Sequence, residues 1–531
     1  MAWDRVPRIE VQAGRHGFFS INNSNRVPLG GLITARNLTL ADYSWRAGGG
    51  ASKLGTAIAG TPQIIHAIDY WPTPGRRRTV AVASDGKIYK DDGLGGDWAS
   101  LVALAQGIQP GGQAIPHLSI AGAEAAGQSR KLFYVDRLNV SQVLVGDAAT
   151  MVAITKPAAD WAGVNQPGWA VAHQGYFWAG GNRNAPHTVY RSLASDHQDF
   201  KTQPYTLICG PLSLQQYTVA GVEYTGGLIV GCFPVGTYYI DTSTDLDPLK
   251  WTAQLIALPG WAGPHAGGVV EGDVIWMAPD GSWHSLVAAQ IGIAKASIRA
   301  SSLSYQKLTS WPQQNMNLGA SAESDLIYYS DRQELMLSYP GIRSAQVDHR
   351  LHLDLNNKDE VGPNWVQWDR DLNSCLFLRQ LEGGRTIPCF GDYAGQVWLL
   401  DQLDRSKAGS AYTAEFLMAD TDFSMLFPTW AGRKKNARFL QVEYVATSKF
   451  DMTLEVYLDG VKKQTITVTL KPIGAALPAT LPFQLGPGAL QLTPYERVLG
   501  QFTRLAIRGS ASVAGGDMNV TRLLLGCELA A

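Results

Sequence analysis

Charge is what this sequence has least of. Asp, Glu, Lys and Arg make up 17% of its 531 residues, against roughly 25% in an ordinary soluble domain. The 44 basic side chains nearly cancel the 45 acidic ones, leaving a net charge of -1. Without a bulk field a chain does not gather nucleic acid or an anionic membrane surface, so sequence-specific DNA binding is disfavoured. The same neutrality suits a wall past which DNA slides, because fixed cations would displace phosphate counterions and hold the duplex back.

Cysteine is also scarce. Cys209, Cys232, Cys375, Cys389 and Cys527 are odd in number and never form a Cys-x-x-Cys pair, so they spell out neither a disulfide framework nor a zinc knuckle. They read as buried thiols of a protein made in a reducing cytoplasm. No run of about 18 uncharged apolar residues occurs, which argues against a spanning helix and direct membrane insertion. Charges at Asp4, Arg5, Arg8 and Glu10 interrupt what would be the apolar core of a secretory signal. Helical periodicity is confined to Ala99 to Gly107 and Leu286 to Ser301. Catalytic signatures are missing too: the serine elbow, His-Glu-x-x-His, the P-loop and Gly-x-Gly-x-x-Gly after a strand. The expectation is a protein that is not an enzyme, with no catalytic residue, cofactor or metal assigned.

What the chain has instead is 56 Gly, 16 Trp and 45% hydrophobic residues, the texture of many short strands joined by tight turns. Ala67 to Asp92 shows it most plainly, with alternation on both sides of the Asp85-Gly86 pair, a strong hairpin signal. Similar units begin at Lys131, Gly168, Gly226, Gly272, Asp325 and Arg385. A spacing of roughly 40 to 60 residues is a blade period, which predicts an all-β chain built as a β-propeller of six to eight blades. From about Gly409 the pattern changes. DMTLEVYLDGVKKQTITVTL, starting at Asp451, alternates across Asp459-Gly460, and ARFLQVEYV, FTRLAIRGS and NVTRLLLGCEL add three more strands, enough for a β-sandwich. The expected division is an N-terminal segment over 1–60 leading into the first blade, a propeller over 61–408 and a sandwich over 409–531, with a long loop between Lys471 and Tyr495.

Several clusters invite chemistry. In HRLHLDLNNKDE, His352 and Asp354 share one strand face with Arg350, a possible metal set weighed against a solvated hairpin edge. Asp245 and Asp247 offer oxygens for calcium, weighed against an Asp-Pro turn. The aromatic groups Tyr70-Trp71, Tyr176-Phe177-Trp178, Tyr238-Tyr239 and Tyr328-Tyr329 suit either a sugar platform or the wedge between blades, the wedge being favoured. Two basic clusters stand out: Arg76, Arg77 and Arg78, and Arg433, Lys434, Lys435 with Arg438. Charges on both faces of a strand call for exposure or for acids across a subunit boundary, which makes these seven residues the candidate subunit interface.

Several stretches together resemble the tail nozzle, or DNA-stabilisation, propellers of short-tailed bacteriophages. NSNRVPLGGLITARNLTLADYSWRAGGGASKLGTAIAG, from Asn23, is similar to that family's opening, with Arg36, Asn37, Arg46 and Gly48 to Gly50 in place. VYRSLASDHQDF resembles its strand exit at Ser192, Asp196, Asp199 and Phe200; APDGSWHSL its Asp-Gly turn at Asp280 and Gly281. FGDYAGQVWLLDQ and FPTWAGRKKNARFLQVEYV resemble its last blade and the start of its sandwich. The likeness lies in pattern and order over most of the chain. It implies a virion protein, synthesised in the host cytoplasm, that forms a homo-oligomeric, usually hexameric, ring below the portal and adaptor. Such a ring passes double-stranded DNA without reading it and carries fibre, spike or needle proteins. A peptidoglycan-degrading insertion is not recognisable. The alternative is a glycan-binding or glycan-cleaving propeller.

Overall fold

A computed structural model describes the chain outside residues 1–5, 14–15, 21–26, 41–43, 95, 109–113, 126, 211–215, 246, 288–306, 309, 360–361, 370–372, 382–383, 403–404, 473–489 and 531. Five strands precede any blade: β1 (Arg8–Gln12), β2 (Leu32–Arg36), β3 (Leu38–Thr39), β4 (Trp45–Ala47) and β5 (Gly50–Leu54). The first complete sheet is β6 (Ile64–Thr73), β7 (Arg76–Ala83), β8 (Lys87–Lys90) and β9 (Ala99–Ala103), antiparallel throughout. The Asp85-Gly86 turn closes its second hairpin. Gly86 sits at φ 78, where a side chain would be strained, and the Asp85 carboxylate accepts the Lys87 N–H at 3.1 Å.

The pattern then repeats around an axis. The second sheet is β10 (His117–Ala121), β11 (Lys131–Val135), β12 (Gln142–Val145) and β13 (Val152–Ala153); the third is β14 (Trp169–His173), β15 (Tyr176–Gly180), β16 (Thr188–Arg191) and β17 (Tyr205–Ile208). The fourth is β18 (Tyr217–Tyr224), β19 (Gly227–Phe233), β20 (Val235–Asp241) and β21 (Ala253–Pro259), and the fifth has β22 (Gly267–Val270), β23 (Asp273–Met277) and β24 (Trp283–Ser285). The sixth is β25 (Asp325–Tyr329), β26 (Glu334–Pro340), β27 (Val347–Asp359) and β28 (Gly362–Trp368); the last is β29 (Asn373–Gln380), β30 (Thr386–Asp392) and β31 (Val397–Gln402).

The innermost strands β6, β10, β14, β18, β22, β25 and β29 each touch the next, and β29 returns to β6. Seven blade positions therefore surround the axis. Six are separate sheets, and the sixth position belongs to a larger one. The seven hairpin units read from the sequence fall one to a blade. The ring is closed by β5, which pairs antiparallel with β31 through Val397↔Leu54 and Leu399↔Ser52 and so supplies the outer strand of the last blade.

Six of the wedges between blades have their own apolar clusters, and the wedge between the fifth and sixth shares the core of the sandwich. Tyr70 and Val80 meet Leu118 and Leu132 between the first two blades, and Leu376 and Phe390 meet Tyr329 and Met336 between the last two. Trp261 is wholly buried and lies flat on Trp276 at 5.8 Å. A Cβ on Gly231 would stand 2.3 Å from its ring, so the strand must be bare there. Tyr70, Phe177, Trp178, Tyr238 and Tyr329 are buried in these wedges, as the core reading of the aromatic groups expected, while Trp71, Tyr176, Tyr239 and Tyr328 are half-buried; all five cysteines are buried free thiols.

The C-terminal strands are β32 (Tyr412–Met418), β33 (Lys435–Ala446), β34 (Phe450–Leu458), β35 (Val461–Leu470), β36 (Gln491–Leu492), β37 (Glu496–Phe502), β38 (Leu505–Val513) and β39 (Met518–Leu529). Strict alternation in β34 buries every second residue from Phe450 to Leu458. One layer is built on β33 and β39, the other runs β2-β32-β38-β34-β35. The N-terminal segment does more than lead into the first blade. β1 and β4 pair with β39, β3 pairs with β4, and β2 pairs with β32, so much of 1–60 belongs to the sandwich.

The two halves are fused. A parallel bridge, Arg36↔Gln367, joins β2 to β28, so the sixth blade runs on into the sandwich as one nine-stranded sheet. Trp283, Trp311 and Trp365 share a single core cluster with Leu454, Ile507 and Leu523. Arg46 pairs with Asp517, while Arg405 donates to Ala47 O at 3.0 Å. Of the helical expectations, Ala99 to Gly107 fails, because Ala99–Ala103 is the outer strand β9 held on β8; 288–301 of the second, and most of the loop expected from Lys471 to Tyr495, lie outside the described residues.

Candidate functional site

The inner strands bring together at the hub residues that lie far apart in sequence. His66 is on β6, His117 opens β10, His265 precedes β22, and Asp325 opens β25. The rings of His66 and His265 stack at 4.1 Å, with an interplanar angle of 24°. His117 stacks on His265 at 4.9 Å. His265 Nε2 donates to Pro116 O at 2.7 Å and His117 Nε2 to Ala170 O at 2.8 Å. A carbonyl only accepts, so in both rings the proton sits on Nε2 and Nδ1 keeps its lone pair. Leu326 N–H donates to His265 O at 2.7 Å, and Leu376 N–H to the Asp325 carboxyl at 3.0 Å.

Six of the seven blades thus meet at one cluster, three of them through an imidazole and the others through Ala170 O, the Asp325 carboxyl and Leu376 N–H. Burial pushes His117 down to about 3 and His265 to about 4, and, with the neighbouring rings, holds His66 well below the usual histidine range. Burial also pushes the Asp325 carboxyl up to about 8. At neutral pH the cluster is uncharged. His66, His265 and Asp325 present ligand atoms that all lie within 4.8 Å of one another. No local spacing announces this set. The only trace in the sequence is a Pro-His pair, 116–117 and 264–265, just ahead of two inner strands.

The set that the sequence did announce is differently placed. β27 lies between β26 and β28, so HRLHLDL is a central strand and the hairpin-edge reading is corrected. His352 bonds Glu334 through Nδ1 and stacks on Trp368 at 4.3 Å. Arg350 is 1% exposed, over the rings of Trp368 and Phe390. Burial would raise Glu334, but the His352 charge and hydrogen bond, with Arg332 and Arg350, hold it below its ordinary value. Glu334, His352 and Asp354 line a cleft of about 500 Å³. Asp245 and Asp247 form the turn they resemble: Asp247 caps Pro248–Lys250 and Asp245 pairs with Lys250 at 3.0 Å.

The candidate interface residues divide. Arg77 bonds Asp69 at 2.8 Å, and Asp69 also accepts from Gln380 N–H of the last blade. Arg78 and Lys90 bond Asp147 of the second blade at 2.7 and 2.8 Å, and Arg76 reaches it at 3.2 Å. The Arg78 hydrogen bond holds Asp147 down at about 2. These arginines find acids within the chain, where exposure or a subunit boundary had been expected: Arg76 and Arg78 tie the first blade to the second, and Arg77 holds the Asp69 that bonds the last. Lys435 is buried and donates to Arg433 O and Thr503 O, and Arg438 pairs with Glu528. Arg433 and Lys434 are exposed.

No protein-family profile and no curated protein matches the sequence. Among solved structures, the chain is similar to YCF48 from Cyanidioschyzon merolae at 8% identity, covering 66% of this chain and 98% of that one with a TM-score of 0.40. It is also similar to the computationally designed Ika8 protein (11% identity, 66% and 99% covered, TM-score 0.37) and to a chain of a mitotic checkpoint complex (10%, 65% and 90%, 0.39).

Proposed function

We propose that the chain is a structural subunit of a short-tailed phage tail, a nozzle or hub protein. In this reading its copies close into a ring that extends the DNA channel below portal and adaptor, retains the packaged DNA and anchors fibres or spikes. The observation that carries the reading is the nine-stranded sheet shared by the sixth blade and the sandwich, which makes propeller and sandwich one stiff body. A stiff body with unlike faces is what heterologous contacts rotate into a closed ring. The imidazole plug supports the same reading from another side. With six blades meeting on the axis, a duplex has no path through the propeller, and the conduit is the lumen between subunits. Six copies is the ring order that the family resemblance implies.

Arg433 and Lys434 give the clean test. Reversal at Arg77 or Arg78 would break ion pairs inside the subunit, whereas Arg433 and Lys434 stand exposed beside β33. The double variant Arg433→Glu, Lys434→Glu is expected to lower the ring fraction severalfold by light-scattering mass, with an unchanged circular dichroism spectrum and thermal transition. A ring fraction equal to wild type would remove this face from the interface.

A further inference from the structure

We propose that His66, His265 and Asp325 bind one divalent transition-metal ion, zinc by preference, at the propeller hub. Two imidazoles and a carboxylate form a recurrent three-residue zinc set that leaves a fourth position for water. Three features single it out. All three ligand atoms lie within 4.8 Å of one another. His66 is 8% exposed and its Nδ1 has no hydrogen-bond partner, an orphaned acceptor or donor of the kind buried sites rarely leave. His265 is already oriented as a ligand, because its Nε2–H is held by Pro116 O, the outer-shell arrangement that fixes metal-binding imidazoles.

The edge of a tetrahedral zinc site is about 3.4 Å, so loading draws the three side chains inward by roughly an ångström and turns His66 out of its stack on His265. The site spans the first, fifth and sixth blades. Metal would therefore act as a staple across the axis, stabilising the folded propeller with the logarithm of free metal once it exceeds the dissociation constant.

The test uses the full chain without an affinity tag, stripped with a chelator and titrated with Zn²⁺ or Co²⁺ alone. One ion per chain is expected, with a higher thermal midpoint and a visible Co²⁺ band of low-coordinate nitrogen and oxygen ligation. Asp325→Asn replaces a buried neutral acid by a neutral amide, so the metal-free fold should persist while affinity falls at least about tenfold. His66→Gln should do the same, and His349→Asn, near a surface cleft, should not. Absence of stoichiometric binding in the wild-type chain overturns the proposal, as does binding that survives Asp325→Asn and His66→Gln but is lost in His349→Asn. If Asp325→Asn fails to fold, His66→Gln and the Co²⁺ band of the wild-type chain decide.

Discussion

Acidified from pH 6.5 toward 4 in the presence of EDTA, the protein is expected to lose stability steeply, and the hub is the reason. His66, His117 and His265 are held neutral in the folded chain by burial, whereas unfolded they take up protons near 6.5. Their folded values are depressed, so unfolding takes up three protons in this window. Asp325 works the other way: it is protonated in the fold up to about 8 and ionised when unfolded above about 4, so unfolding gives one proton back. The net uptake is about two protons, a slope of at most about 3 kcal/mol per pH unit from these groups. Urea unfolding at half-unit intervals measures it. A variant with His117→Gln should show a shallower slope. A flat profile from 6.5 to 4 would mean that the imidazoles are hydrated and the axis is open.

The second large effect concerns the N-terminal strands. A chain lacking residues 1–55 loses β5 from the last blade and β1 to β4 from both layers of the sandwich. The exposed edges of β31, β32 and β39 would then be unpaired templates for aggregation. The truncated protein is expected to show no cooperative thermal transition and to lose the near-ultraviolet dichroism of its buried tryptophans. A transition within a few degrees of wild type would mean that the ring closes without this strand.

Sequence legibility divides along physical lines. Hairpins are local, so Asp85-Gly86 and Asp459-Gly460, with alternation on both sides, located their strands, and seven such units located seven blades. The strands β1, β2, β4 and β5 are short and find partners hundreds of residues away, as in Arg8↔Gly526, and no local pattern carries that pairing. Ala99 to Gly107 has helical composition but is overruled by the edge of β8, where tertiary pairing outweighs propensity. The Arg76 to Arg78 triplet called for exposure or for acids across a subunit boundary, and neither is what Arg77 and Arg78 meet. That Asp69 and Asp147 supply them within the subunit depends on which blade stands beside which. The hub is the extreme case, since His66, His117, His265 and Asp325 converge only because ring closure brings the inner strands to one axis.

Symmetry-resolved electron microscopy of the assembled protein tests the central claim most directly. The account predicts a closed ring of copies, each propeller sealed at its own axis, around a lumen wide enough for duplex DNA. A chain that stays monomeric at every concentration, with neighbouring tail proteins present, would contradict it, and so would a duplex-wide opening through the propeller itself.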